Sequence, residues 1–317
     1  MLTFTTVATK GGVGKTTLTA NLGGLLADLG YRVLLIDADV QPSLTRYFKL
    51  AHQAPNGLTA MVMSGSLTSD CISHVEFPPQ EFEGDHTCLN AQGGFLHIVR
   101  SDTQREDSPL QIWLSNQLDR LVRIRMVLSN PELRDAYDVC IIDTQGAVGH
   151  LQDAAVNAAD VLLAPVAPDV LSAREFVDGT IKLVNRHEAA ANLGYKVPAI
   201  QCIINRTENT VDSRTMSQLI RDQFIEMRGR VNVLATQIPQ AVAYKKGATS
   251  QVPAHWIDPV KVGDSMHSLL WELIPNMVGT FAPNHRAEMN PTLAALHLQH
   301  QDQEPEEPAN TADSEQQ

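Results

Sequence analysis

Short apolar runs rich in β-branched residues recur along the chain, and between them the apolar positions spread out to a helical spacing. Arg32–Asp37 reads R-V-L-L-I-D, an unbroken apolar core of the kind a parallel strand buried on both faces requires. Leu2–Ala8, Tyr137–Asp143, Val161–Val166 and Val197–Asn205 share that character. Helices are expected over Thr16–Leu29, where Gly30 stops the turn, and over Leu110–Leu128, Leu151–Ala158, Ser172–Leu193 and Asp212–Arg228. Strands alternating with helices predict an α/β fold with a doubly wound, mostly parallel sheet, whose ligands gather at the carboxyl ends of the strands.

From about 51 to 105 the pattern loosens around Pro78-Pro79, Gly84 and Gly93-Gly94. It reads as an irregular elaboration of the same domain, with a short helix near Leu58–Met63 and a strand at Phe95–Val99. A last helix is expected near Val262–Leu273. The expected organisation is one domain over 1–282 and a polar, acidic, disordered tail over 283–317. No internal repeat is evident.

Charge changes this picture only locally. The 317 residues carry a formal net charge of −12, and Gln301–Gln317 holds six acids with no lysine or arginine, so the rest carries −12 + 6 = −6. A weakly acidic body is compatible with a basic nucleic-acid patch, because counterion release depends on local phosphate contacts. No window reaches the ~18 apolar residues of a membrane span, and no secretory leader is recognised, so a cytoplasmic protein is expected. The four cysteines, Cys71, Cys88, Cys140 and Cys202, form no C-x-x-C pair and are expected as reduced thiols.

The chemistry begins directly after the first strand, at Lys10-Gly11-Gly12-Val13-Gly14-Lys15-Thr16-Thr17. Nucleotide phosphates need several backbone N–H groups converging on one small volume. Glycine lets the chain curl that tightly without a Cβ in the way, and the helix opening at Lys15 adds its free N–H groups and positive end. In a P-loop of the form G-x-x-x-x-G-K-[ST], the lysine reaches the β/γ-phosphates and the hydroxyl ligates Mg²⁺; Gly14-Lys15-Thr16 supplies that half. Thr9 stands where the first glycine would fall, followed by a second lysine, Lys10. Asp37 and Asp39 follow the second strand at alternating positions, and Asp143 ends an apolar strand as a Walker B carboxylate does.

With Lys10 in that place the loop is of the deviant Walker A kind, and the chain resembles the ParA/MinD family of partition and positioning ATPases over roughly residues 1–280. The resemblance implies ATP and Mg²⁺ as cofactors, with Gly11–Thr17 on the phosphates and Lys10 reaching across an ATP-dependent homodimer. It implies Asp39 as the residue that activates the attacking water, Thr16, Asp37 and Asp143 around the metal, Asn205 on the adenine, and Ile238-Pro239 in a loop covering the base. Val40-Gln41-Pro42 and Thr144-Gln145-Gly146 depart from the family's usual switch segments. The resemblance further implies slow hydrolysis stimulated by a ParB-like partner.

Arg214, Arg221 and Arg228 recur every seven residues on one expected helix face, with Arg230, Lys245 and Lys246 nearby in sequence. In relatives without an added N-terminal DNA-binding domain, as is expected here, basic residues of this region bind DNA non-specifically and place the protein on the nucleoid; a plain solvated face is the alternative. A MinD-like protein would carry a basic amphipathic C-terminal helix for membrane attachment, which the acidic, Pro-interrupted end opposes. A cargo-positioning relative or a metabolic ATP-dependent enzyme on the same scaffold are the other readings.

Overall fold

The computed structural model of the chain describes residues 1–8, 11–76, 94–102, 109–146, 149–170, 198–225 and 230–282, with positions 173, 176, 178, 179, 182 and 185. Its strands are β1 (Leu2–Thr6), β2 (Arg32–Ala38), β3 (Leu50–His52), β4 (Ser73–Val75), β5 (Phe95–Val99), β6 (Val139–Thr144), β7 (Val161–Val166), β8 (Ala199–Thr207) and β9 (Val231–Pro239). They form one sheet in the order β3-β4-β5-β2-β6-β1-β7-β8-β9. Every pairing is parallel except β3 with β4 and β4 with β5. The doubly wound α/β class read from the pattern is the one found.

Burial on both faces explains the unbroken apolar runs. Along β2, Val33 and Leu35 enter the core on one face while Leu34 and Ile36 enter the core on the other. The first helix, α1 (Lys15–Asp28), is buried over most of its length, and Leu22, Leu25 and Leu26 are fully enclosed. Each such side chain contributes about 1.5–3 kcal/mol by leaving water. Asn21 ties α1 to its surroundings: its amide donates to Thr17 O (2.7 Å) and Tyr47 Oη (3.0 Å), and its Oδ1 accepts Ala254 N (2.6 Å). One turn on, Gly24 lets Pro253 approach so closely that a Cβ there would lie 2.6 Å from Pro253 Cγ.

Two expectations need correction. The helix read over Leu110–Leu128 is two helices, Pro109–Ser115 and Arg123–Leu128. The chain turns between them because Arg123 is held by Asp119 (2.5 Å) and donates to Val62 O and Met63 O, redirecting the second helix onto helix Leu58–Ser64. Of the helix read over Asp212–Arg228, residues 226–228 lie outside the described residues; the described helix is Val211–Gln223, and Phe224 after it buries against Phe176. The helix expected near Val262–Leu273 is found: Asp264–Leu273, entered through a π-helical turn at Pro259–Gly263. Strands β3, β4 and β9 and helices Val242–Ser250 and Ala254–Ile257 have no counterpart in the sequence reading. Most of Ser172–Leu193, and all of 283–317, lie outside the described residues. Cys71, Cys140 and Cys202 are buried free thiols; Cys88 lies outside the described residues.

Candidate nucleotide site

Four loops meet at the carboxyl ends of the central strands, as the parallel topology dictates. After β1 the chain curls through Gly11–Gly14 into α1, with Gly12 at φ 78° and Gly14 at φ 93°. A Cβ added at Gly11 or Gly12 would meet nothing within 4 Å, so their backbone faces open space, as a phosphate cradle must. At Gly14 a Cβ would lie 2.5 Å from Asn205 Nδ2. Gly14→Ala is therefore expected to cost about 1–2 kcal/mol through its left-handed backbone, and more by pushing Asn205 from the loop. Thermal unfolding and ATP titration of the variant would show both losses together.

Opposite the loop, Asp143 ends the apolar run of β6 and faces Asp37 of β2 in register. Both carboxylates are fully buried. Thr16 Oγ1 donates to Asp143 Oδ2 (2.6 Å), and the buried Oδ1 has no partner among the described residues. Burial pushes the Asp143 carboxyl up to about 8; the neighbouring Asp37 charge adds to this, while the Thr16 hydrogen bond and Lys15 oppose it. Asp37 is pushed up to about 7, again chiefly by burial, against hydrogen bonds from Thr45. An orphaned buried carboxylate oxygen beside a hydroxyl offers oxygen donors to a hard divalent cation, and the buried lysine and open glycine cradle next to them suit a phosphate. Thr16 and Asp143 fit Mg²⁺.

Asp37 is engaged differently from a direct ligand, since its Oδ2 accepts both Thr45 N (2.8 Å) and Thr45 Oγ1 (2.6 Å). It thereby holds the loop after β2 on which Asp39 stands. The Asp39 Oδ1 accepts Gln41 N (3.0 Å), and its carbonyl accepts Ser101 Oγ (2.5 Å). This places Asp39 at the strand end beside the buried carboxylate pair, partly exposed. Lys10 lies outside the described residues.

Beside the cradle opens a cavity of about 260 Å³ whose walls include Gly14, Asn205, Ile238, Pro239, Tyr244 and Met266. Two local features of β8 and β9 shape it. Asn205 donates from Nδ2 to Val13 O (2.8 Å), clamping the glycine loop. Arg206 is an extra residue in the β8 ladder, because Asn205 pairs with Ile238 and Thr207 with Pro239. It takes φ 63° and lays its guanidinium on Gly12 O (2.6 Å). Ile238 and Pro239, read from the sequence as part of a covering loop, are the last residues of strand β9. Arg206 is a loop contact that the sequence does not announce, since nothing in one sequence signals a left-handed, bulged arginine.

Among the basic residues, the described ones are engaged differently. Arg221 donates to Leu234 O (2.7 Å) and Ala235 O (3.1 Å) of β9, and Arg228 lies outside the described residues. Arg214, Arg230, Lys245 and Lys246 are exposed, and Lys245 also lines the cavity. No described helix is long and apolar enough to cross a membrane.

A family model described as an AAA domain matches residues 2–193. A Thermus thermophilus protein named "Probable plasmid-partitioning protein ParA" is 28% identical over 264 residues, covering 82% of this chain and 73% of its own. Two longer relatives, from Rhizobium rhizogenes and Sinorhizobium fredii, are matched over 48% and 45% of their lengths, so the chain spans about half of them. Among solved structures, apo McdA of Cyanothece superposes with a TM-score of 0.67 at 21% identity, covering 86% of this chain and 99% of that one. The septum site-determining protein MinD of Pyrococcus horikoshii, solved with Mg-ADP, gives 0.62 at 19% identity over 86% and 96%. Glycine cradle, metal-competent carboxylate and sheet order thus accompany a family match over more than half of the sequence, and the chain belongs to the ParA/MinD family of P-loop ATPases.

Proposed function

We propose that this chain is an ATP-dependent dimerising switch that partitions plasmid, integrative-element or chromosomal DNA, formed by one ATPase domain over 1–282 with a polar tail. The observation that carries the nucleotide half is the Thr16–Asp143 pair with its orphaned oxygen under an open glycine cradle. In this reading Gly11–Gly14, Lys15 and Thr17 hold the phosphates, and Thr16 and Asp143 hold Mg²⁺, which when bound neutralises phosphate charge. Asp37 sets the loop that carries Asp39, and Asp39 orients the attacking water. Lys10 completes the site of a second copy, so hydrolysis and dissociation are coupled. Asn205, Ile238 and Pro239 bound the adenine.

The DNA half is supported by the exposed cations Arg214, Arg230, Lys245 and Lys246 and by the partitioning name of a relative. ATP would hold two copies together on DNA; a ParB-like partner would stimulate hydrolysis and release them from the nucleoid. The test is binding of the purified protein to unrelated DNA duplexes with ATP, ADP or no nucleotide, at two salt concentrations. Sequence-independent, salt-sensitive binding seen only with ATP is expected, since each phosphate contact adds about 0.9 to the salt slope. Absence of binding in every nucleotide state would move the cargo from DNA to another object.

A further inference from the structure

The β8 and β9 ladder slips twice just before the cavity. Between the pairs Cys202–Val233 and Ile204–Gln237, β8 advances two residues while β9 advances four, so Leu234–Thr236 bulge out of register. A bulge re-aims the strand beyond it, and here that continuation is Ile238-Pro239, one wall of the cavity. The bulged peptides cannot all be satisfied by the ladder, and two charged side chains from opposite faces of the sheet take them. Arg221, on helix Val211–Gln223, donates to Leu234 O (2.7 Å) and Ala235 O (3.1 Å). Glu272, on helix Asp264–Leu273, accepts Ala235 N (2.6 Å) and Thr236 N (2.8 Å). At the strand's end Lys261 Nζ donates to Gln240 O (3.0 Å), and Gln240 N donates to Thr207 O (2.9 Å).

We infer that Arg221 and Glu272 are positioning residues of the nucleotide's base pocket, fixing the β9 bulge so that Ile238-Pro239 stand where a purine ring packs. The inference rests on the nucleotide reading above. Charge-assisted hydrogen bonds are the stronger kind, and each of these two side chains places two of them on one bulge. A purely structural staple would stabilise the whole domain; a pocket clamp acts on the base and leaves the phosphate cradle alone, because the side chains that hold Val13 O and Gly12 O, Asn205 and Arg206, stand on β8 and not on the clamped β9.

The experiment compares ATP with inorganic tripolyphosphate, both with Mg²⁺, on the full chain and on Glu272→Ala, Glu272→Gln, Arg221→Ala and Arg221→Lys, with thermal unfolding alongside. Wild type is expected to bind ATP more tightly than tripolyphosphate. Either alanine variant should lose at least about tenfold in ATP affinity, a change worth ~1.4 kcal/mol, while tripolyphosphate affinity holds within about twofold. Glu272→Gln and Arg221→Lys, which keep part of the hydrogen bonding, should fall between and keep the measurement available if an alanine variant does not fold. Parallel loss of both ligands, or no loss of either, overturns the clamp with the nucleotide reading intact. Wild type that binds ATP no better than tripolyphosphate overturns the base pocket, and wild type that binds neither overturns the nucleotide reading and the clamp together.

Discussion

Lys15→Ala should abolish ATP binding, with a loss of at least about a hundredfold, or ~2.7 kcal/mol, in a calorimetric titration. Lys15 opens α1 behind the glycine cradle and is only 8% exposed. A buried ammonium there has already lost most of its water, so phosphate oxygens replace that water at little further desolvation. A hydrogen bond to a charged group contributes about 1.5–3 kcal/mol net, and a lysine with three donors can make more than one to the β- and γ-phosphates. Alanine also removes the cation that opposes the upward shift of Asp143, so the metal side of the site weakens too. Unchanged affinity would remove Lys15 from the phosphates and with it the P-loop reading of Gly11–Thr17.

Asp143→Asn should eliminate hydrolysis and, in metal-free protein near pH 8, raise the melting temperature. The sign follows from linkage. In the folded protein the Asp143 carboxyl is pushed up to about 8, and that of Asp37 to about 7, whereas an unfolded aspartate titrates near ~3.9. The folded state thus holds these protons more tightly. Their contribution to stability is fully present below about pH 4 and is lost as pH rises through about 7 to 8. Ionising two facing buried carboxylates costs on the order of several kcal/mol in total. An amide at 143 removes one of them and keeps an acceptor for Thr16. Melting curves from pH 5 to 8 should therefore fall steeply for the wild type and flatten for the variant, and Mg-ATP should restore the wild type. A variant that melts lower than the wild type at pH 8 without metal would contradict the buried-charge account.

The two effects oppose each other for one reason: the site keeps anionic groups out of water so that a cation and a polyphosphate can be held there. Asp143 is suited to metal because its second oxygen has no hydrogen-bond partner among the described residues. Asp37 is less so because Thr45 uses its Oδ2 twice, which makes Asp37 an anchor for the segment carrying Asp39.

Much of this was readable from local signals. The runs at Val161–Val166 and Phe95–Val99 coincide with β7 and β5, since a strand covered on both faces or fixed in the sheet interior has little freedom to be anything else. Gly30 closes α1 with φ 91°, as a helix followed by a left-handed residue should. The order K-G-G-V-G-K-T-T, two alternating aspartates and an apolar strand ending in Asp143 place the phosphate and metal chemistry, because each depends on backbone geometry that glycine and strand ends set within a few residues.

Other features depend on neighbours remote in sequence. Strand β9 hides as V-N-V-L-A-T-Q-I-P: it is an edge strand with a bulge, so its alternation breaks midway and its terminal Pro239 resembles a loop. The seven-residue spacing of Arg214 and Arg221 suggested one basic face, yet Arg221 turns to unsatisfied carbonyls of β9 thirteen and fourteen residues onward. Arg206 adopts its left-handed backbone because a ladder slip requires it and Gly12 O receives its side chain. Sequence alone determined the α/β class and the glycine loop that opens α1, for both are written in short-range periodicity and glycine placement. Tertiary structure decided which Asp143 oxygen has no partner among the described residues, that Arg221 turns onto β9 and where Ile238 and Pro239 wall the cavity, because these depend on which groups the packed chain brings together.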